Sequence, residues 1–198
     1  THETLVNPST QAEALYDVLI YHAAVRLAPF VEMVTHSATV NHGGGLRKSR
    51  ERVFANPCHY AQSMFAAFAE AAPVKTELTC SAEKVPLVLS DLRNVTKSWT
   101  GKVLDALAAQ ASDGSLLLSI VHKGTERPID LKIDFNFNGL AFAGTAQIQT
   151  LSANVPWAAN TLEMPTAIAP VASVKDLRGT ELSLRLQPYS YTLVRIPK

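Results

Sequence analysis

The sequence predicts two architectures in series: the last β/α unit of an α/β barrel over residues 1–72, then a jelly-roll-like β-sandwich over residues 73–198. Three observations predict it. Up to Pro73, two stretches with apolar residues at three- and four-residue spacing flank a β-branched run. Beyond Val74 that period gives way to short alternating or β-branched runs separated by turn residues. Between the two helical stretches lies Asn41–Pro57, where three consecutive glycines precede Arg47, Lys48, Arg50 and Arg52.

Residues 1–8 lead into the first helix. Ser9 is a suitable N-cap, Glu13 falls in the first turns, and Ala12, Leu15, Tyr16, Leu19, Ile20, Ala23 and Leu27 form one apolar face that ends near Pro29. The stretch Phe30 to Val40 carries Val31, Met33, Val34, Thr35, Thr39 and Val40, with Glu32 and His36 embedded. It reads as a short buried strand, although periodicity does not separate strand from helix here. The glycine- and arginine-rich stretch then reads as a mobile polar loop, suited either to binding or to plain solvated connection. Asn56 and Pro57 are a favoured N-cap and first helical residue. They open a second helix to Ala72 with the stripe Tyr60, Met64, Phe65, Phe68 and Ala69, stopped by Pro73. Helix, buried strand, polar loop, helix is the order of a barrel unit, and the loop after a barrel strand lies on the face that holds active sites. Three elements do not close an eight-stranded barrel, so residues 1–72 read as its last piece.

The second part reads as strands Lys75–Cys80, Leu87–Leu92, Val103–Ala109, Leu116–Lys123, Ile129–Phe135, Thr145–Leu151, Glu181–Leu186 and Ser190–Ile196. Turn chemistry separates them at Ser112-Asp113-Gly114, Lys123-Gly124, Asn136 to Gly139 and Arg178-Gly179. Asp113-Gly114 is a hairpin signal. Many closely spaced strands suggest a sandwich or jelly roll. Ala153 to Ser173, with Pro156, Pro165 and Pro170, reads as a long irregular excursion lying against it.

Composition excludes several classes. With 47% hydrophobic and 18% charged residues, the chain suits a packed fold rather than disorder. A net charge of +1 gives no electrostatic case for nucleic acid or an anionic membrane. No apolar run approaches the ~20 residues that span a bilayer. The start, Thr1-His2-Glu3, has neither Met nor a signal-peptide core, and so reads as a piece of something longer; cytoplasmic and secreted locations both stay open. Cys58 and Cys80 make no disulfide framework, and Cys58 reads as a buried structural thiol. No histidine or cysteine spacing suggests a metal, and no cofactor is expected. Asn94-Val95-Thr96 fits the glycosylation pattern, a match common by chance.

The order of segments resembles the C-terminal part of family 51 glycoside hydrolases, best known as α-L-arabinofuranosidases. Ala12-Glu13-Ala14-Leu15 and Ile20-Tyr21-His22-Ala23 look like that family's helix before its last barrel strand. Val31-Glu32-Met33 through Val40-Asn41 look like the strand with its terminal Asn. Arg52-Val53-Phe54-Ala55-Asn56-Pro57 sits where the family has a Gln-Thr-x-Tyr-Tyr-Pro run. Val85-Pro86-Leu87, Asp113-Gly114-Ser115-Leu116, Val121-His122-Lys123 and the closing Gln187-Pro188-Tyr189-Ser190-Tyr191-Thr192-Leu193-Val194-Arg195-Ile196 resemble successive pieces of its sandwich. The basic insertion, and Arg52 in place of Gln, mark a divergent subfamily with a different substrate rim.

The resemblance implies a (β/α)8 barrel followed by a sandwich, and a retaining mechanism with two glutamates ~5–5.5 Å apart. Neither glutamate position is matched by Glu3, Glu32 or Glu51, so no catalytic residue is assigned and the chain alone is expected to be inactive. Glu32 reads as buried and paired, and Glu51 as a partner of the loop arginines. The expected contribution is the wall of the site: Arg52 as the first substrate contact, with Asn41 and His42 beside it, while Arg47 and Arg50 read as solvated. Trp99 and Trp157 read as packing residues, with sugar stacking the alternative. The implied partners are an oligo- or polysaccharide substrate and the remainder of the catalytic barrel; self-association stays open. An endo-glucanase or xylanase of the same family is one alternative, and a non-catalytic carbohydrate-binding sandwich is another. The latter predicts a self-sufficient core, whereas the two helices have no sequence partner for their apolar faces within the chain except each other and the short strand.

Overall fold

The computed structural model describes residues 9–37, 39–41, 43–86, 98–124, 127–135, 144–177 and 179–198. The first helix, α1, spans Gln11–Arg26. Its cap is Thr10 rather than Ser9: the Thr10 hydroxyl accepts from the Glu13 N–H at 3.3 Å. Glu13 in the first turn and Arg26 in the last both complement the helix dipole. Ala14, Leu15 and Val18 are buried, and so are the polar Gln11, Asp17 and His22.

The expected strand after α1 does not form. Residues 31–37 have no regular hydrogen-bonded structure, and the one ladder contact nearby is a parallel bridge between Val40 and Leu46. A strand exists by pairing, and none of the described residues pairs with Phe30 to Thr39 as a ladder. Phe30 and Met33 are 89% and 78% exposed, and Glu32 is exposed rather than buried and paired. The barrel part of the expected fold is therefore not seen in this chain.

The polar stretch is not a plain loop but an antiparallel hairpin of β1 (Leu46–Ser49) and β2 (Arg52–Ala55), in register from Leu46–Ala55 to Ser49–Arg52. Arg50 takes φ 52° in its two-residue turn, the left-handed region that primed hairpin turns need. Gly45, at φ +81°, is fixed by packing as well: a Cβ there would lie 2.4 Å from the His59 backbone nitrogen. Helix α2 covers Pro57–Phe65 and passes into a single 3-10 turn at Ala66–Phe68, ending short of the expected Ala72. Cys58, Ala61, Met64 and Phe68 are buried.

Among the described residues ten further strands follow: β3 (Ala72–Val74), β4 (Ala82–Pro86), β5 (Ser98–Lys102), β6 (Leu104–Gln110), β7 (Leu116–His122), β8 (Ile129–Asp134), β9 (Thr145–Ser152), β10 (Val171–Asp176), β11 (Glu181–Leu186) and β12 (Ser190–Ile196). Six form one sheet in the order β10-β9-β12-β7-β6-β3, antiparallel throughout, and β11-β8 and β4-β5 form separate pairs. Alternation along these strands builds two cores. Leu107, Leu117, Val121, Leu151, Tyr191 and Leu193 meet Ala14, Leu15, Val18, Cys58, Ala61 and Met64 of the helices. On the other face Leu116, Leu118, Ile120, Ile148, Val194 and Ile196 meet Leu182, Leu184 and Leu186 of β11. The sheet is thus the partner of Ala14, Leu15 and Val18 in α1 and of Cys58, Ala61 and Met64 in α2. Ala12, Tyr16, Ile20, Ala23 and Leu27, of the face expected to be buried in α1, are exposed, so the expectation of an apolar face without a partner in the chain is corrected for α2 and only in part for α1. β7, packed from both sides, is buried at every position.

Strands β6 to β9, β11 and β12 lie where the sequence places them. Lys75–Cys80 forms no strand, β10 emerges from the end of the expected irregular excursion, and the short β3 contains Pro73 at a sheet edge, where its missing N–H is tolerated. Residues 1–8 with Glu3, Leu87–Leu92, Asn94 to Thr96, Asn136 to Gly139 and Arg178 lie outside the described residues. Among the described residues no helix is long and apolar enough to cross a membrane, and no group of His, Cys, Asp or Glu side chains is arranged to hold a metal.

Candidate functional site

The hairpin and the 153–170 excursion meet across a cleft of about 390 Å³ that opens beside the N-terminus of α2. Arg47, Lys48 and Phe54 line it from the hairpin, Asn56 from the helix cap, and Thr161 and Glu163 from the excursion. The excursion is irregular yet fixed. Asn160, 4% exposed, donates through Nδ2 to the carbonyls of Ala55 and Ile168, each at 2.8 Å, and its Oδ1 accepts from the Ile168 N–H at 2.8 Å. Its own N–H donates to Asn56 Oδ1 at 3.0 Å. One buried amide therefore ties β2, the start of α2 and the excursion together.

Of the residues expected at a rim, Asn41 lines the cleft but is spent on the hairpin. Its side chain accepts from the Lys48 N–H at 2.7 Å and donates to the Lys48 carbonyl at 3.1 Å, its N–H donates to the Leu46 carbonyl, and its φ is 57°. Asn tolerates that conformation better than most residues. Arg52 is exposed and donates to the Leu162 carbonyl at 2.8 Å, so it braces the opposite wall. His42 lies outside the described residues. Arg47, expected in solvent, is half-buried and donates to Ser9 Oγ at 2.6 Å. Arg50 and Glu51 stand exposed at the hairpin tip, so Glu51 faces solvent while Arg52 turns to the excursion. Trp157 is 71% exposed and not a core residue; the side chain of Trp99 is outside what is described.

Two features of the cleft were not legible in the sequence. Glu163 adds a carboxylate, held below its ordinary range by its own backbone N–H and the Thr161 hydroxyl, with Arg52 nearby. Asn56 occupies the N-cap position of α2 without capping it, and its buried Nδ2 has no hydrogen-bond partner among the described residues. The cluster Asn160-Thr161-Leu162-Glu163 was a signal of sorts, polar side chains amid prolines and apolar residues.

Two other polar clusters lie in the helix–sheet interface. His22, fully buried, spans Asp105 Oδ1 through Nδ1 at 2.7 Å and Ser119 Oγ through Nε2 at 2.6 Å, and Tyr191 Oη lies 3.4 Å from that Oγ. Burial holds the imidazole below its ordinary range despite Asp105, and although burial also disfavours a charged Asp105, hydrogen bonds from His22 and Arg26 hold that carboxyl below its own range. The order of groups is that of a nucleophile triad, but Ser119 and His22 are fully buried and neither lines the cavity of about 590 Å³ that Asp105 borders, so the arrangement offers a substrate no access. This network satisfies buried polar groups. The second cluster joins Asp17, His36 and Gln62 between α1, α2 and the segment after α1, with Gln62 Nε2 2.9 Å and Asp17 Oδ2 3.7 Å from His36 Nδ1. Burial, and then the nearby Glu13, push the Asp17 carboxyl up to about 7. Burial likewise pushes the Cys58 thiol up, as befits a structural cysteine.

Comparison with known proteins bears on the whole chain. The family model for the alpha-L-arabinofuranosidase C-terminal domain matches residues 2–190. The fold is similar to that of the GH51 arabinofuranosidase from Xanthomonas axonopodis pv. citri, at TM-score 0.79 and 17% identity over 95% of this chain and 36% of that one. It is similar to the thermostable GH51 alpha-L-arabinofuranosidase from Thermotoga petrophila RKU-1, at TM-score 0.78 and 18% identity over 96% of this chain and 39% of that one. The alpha-L-arabinofuranosidase from Thermotoga maritima aligns at TM-score 0.74 and 18% identity, over 93% of this chain and 37% of that one. The chain thus spans well under half the length of these proteins. Among curated proteins no sequence matches.

Proposed function

We propose, from the premise that this chain belongs to the alpha-L-arabinofuranosidase C-terminal domain family, that it is the C-terminal portion of a retaining glycoside hydrolase acting on plant cell-wall polysaccharide. In this reading residues 1–72 are the last piece of a (β/α)8 catalytic barrel and residues 73–198 are the sandwich that supports it. The observation that carries the reading is the largely exposed run from Phe30 to Ser37, which has the composition of a buried barrel strand and no ladder partner among the described residues. A catalytic portion would supply that partner, pairing the segment and burying Phe30 and Met33.

The chemistry would come from two glutamates of the catalytic portion, one attacking the anomeric carbon and the other protonating the leaving oxygen. This chain would supply the wall. Asn41 shapes the hairpin through Lys48, and Arg52, braced on Leu162, presents its remaining N–H groups to sugar hydroxyls. The substrate class this supports is an α-L-arabinofuranosyl side chain.

The test is Arg52→Ala in an enzyme assembled from this chain and its catalytic portion, assayed on a chromogenic α-L-arabinofuranoside. Because Arg52 is exposed, the fold survives, and KM should rise about tenfold with kcat little changed, the signature of lost uniform binding. An assembled enzyme without arabinofuranosidase activity, or unaltered kinetics in the variant, refutes the assignment. The exposed Trp157 favours a second reading, a carbohydrate-binding module, in which Trp157→Ala abolishes retention on an immobilised arabinoxylan.

A further inference from the structure

We infer that the cleft between the β1–β2 hairpin and residues 160–163 takes a carboxylate-bearing sugar, a uronosyl unit, in preference to a neutral one. The inference deepens the proposed function and rests on it for the saccharide; the acid group is argued from the cleft.

The first observation is an orphan donor. The Asn56 side chain is wholly buried and lines the cleft, its Oδ1 is taken by the Asn160 N–H, and its Nδ2 has no partner among the described residues. A buried N–H without an acceptor is costly, so this group calls for an oxygen from whatever occupies the cleft. The second observation is charge. Arg47, which also donates to Ser9, and Lys48 line the cleft, and Arg52 stands behind its far wall at Leu162. Glu163 is the one carboxylate among the lining residues and stays ionised, so two cations face one anion there. The balance favours an anion.

Two further features fit the same ligand. Phe54 gives the cleft a half-exposed aromatic surface suited to the C–H face of a sugar ring, which a small inorganic anion would not use. A volume of about 390 Å³ falls in the range of small-ligand sites, roughly 300–1,000 Å³.

Calorimetric titration of the full chain tests this with a glucuronic-acid-substituted xylo-oligosaccharide, the same oligosaccharide after carboxyl reduction, and inorganic phosphate. The acidic sugar should bind at least tenfold more tightly than the reduced one, and raising NaCl from 20 to 300 mM should shrink that ratio. Lys48→Glu, at an exposed position that leaves the core intact, should remove the preference. Asn56→Asp keeps the acceptor for Asn160 and turns the orphan donor into an oxygen; it should weaken the acidic sugar more than tenfold. Equal affinity for both sugars overturns the inference while leaving the glycosidase reading in place. Phosphate binding as tight as the acidic sugar overturns it by making the cleft a general anion site. No binding of either sugar also overturns it, and the arabinofuranoside assay then judges the glycosidase reading separately.

Discussion

Replacing Asn160 with alanine should unfasten the excursion from the hairpin. The side chain makes three hydrogen bonds, all at 2.8 Å: two donated, to the Ala55 and Ile168 carbonyls, and one accepted from the Ile168 N–H. An intramolecular hydrogen bond is worth about 1 kcal/mol net, and a buried group left unpaired costs roughly 1–3 kcal/mol. With Asn160 4% exposed, water replaces these bonds poorly, so the expected loss is about 3 kcal/mol or more. For a chain of this size that is a fall in Tm of about 6–12 °C. Asn160→Asp sharpens the test. It keeps the acceptor for Ile168, loses both donors and sets a carboxylate against two carbonyls, so it should be no better than alanine. Urea unfolding followed by far-UV circular dichroism measures both. A loss below 1 kcal/mol in either variant would show that the amide is not what fixes the excursion.

The Asp17 carboxyl, pushed up to about 7, makes a pH prediction. Between about pH 4 and 7 the folded chain holds a proton that the unfolded chain has released, so this group's contribution to stability falls as pH rises through that window. Asp17→Asn should therefore be stabilising at pH 8 by as much as about 4 kcal/mol relative to its effect at pH 4, at about 1.4 kcal/mol for each of the roughly three pH units in that window; urea midpoints showing the same difference at both pH values would refute this. Gly45→Ala places a Cβ 2.4 Å from the His59 nitrogen at φ +81° and should cost about 3 kcal/mol, whereas Gly144→Ala, with open space around it, should change stability by less than about 1 kcal/mol. Equal midpoints for the two glycine variants would show that the hairpin does not rest on α2 as described.

Much of the sandwich was legible because its strands carry a period of two: Leu182, Leu184 and Leu186 alternate with exposed Ser183 and Arg185, and β11 forms where that pattern lies. β10 was not legible, since all six of its residues are exposed at the sheet edge and no buried face disciplines the sequence. Phe30 to Ser37 shows the opposite failure, with strand-forming composition but no ladder partner among the described residues, and only Val40 beyond it bridges to Leu46. The hairpin was hidden by its content, because Arg47-Lys48-Ser49 and Arg52-Val53 do not alternate and the turn Arg50-Glu51 lacks the usual glycine. At the candidate site, composition marked the stretch that forms the hairpin and the resemblance named Arg52 and Asn41, but neither named Asn160 or Glu163. Asn160 meets Asn56, and Glu163 lies near Arg52, across more than a hundred positions, and the polar character of residues 160–163 does not say what they meet.

The place of β12 in the sheet has a consequence for biosynthesis. It lies between β9 and β7, yet it is made after every other described strand. Until it emerges from the ribosome, the β10-β9 and β7-β6-β3 groups are two half-sheets with no ladder between them, each with an open edge. The large sheet therefore gains both of its central ladders only with its last described strand. Deleting Ser190–Ile196 would remove Tyr191 and Leu193 from one core and Val194 and Ile196 from the other, and leave exposed apolar surface and unpaired strand edges for chaperones or proteases to handle.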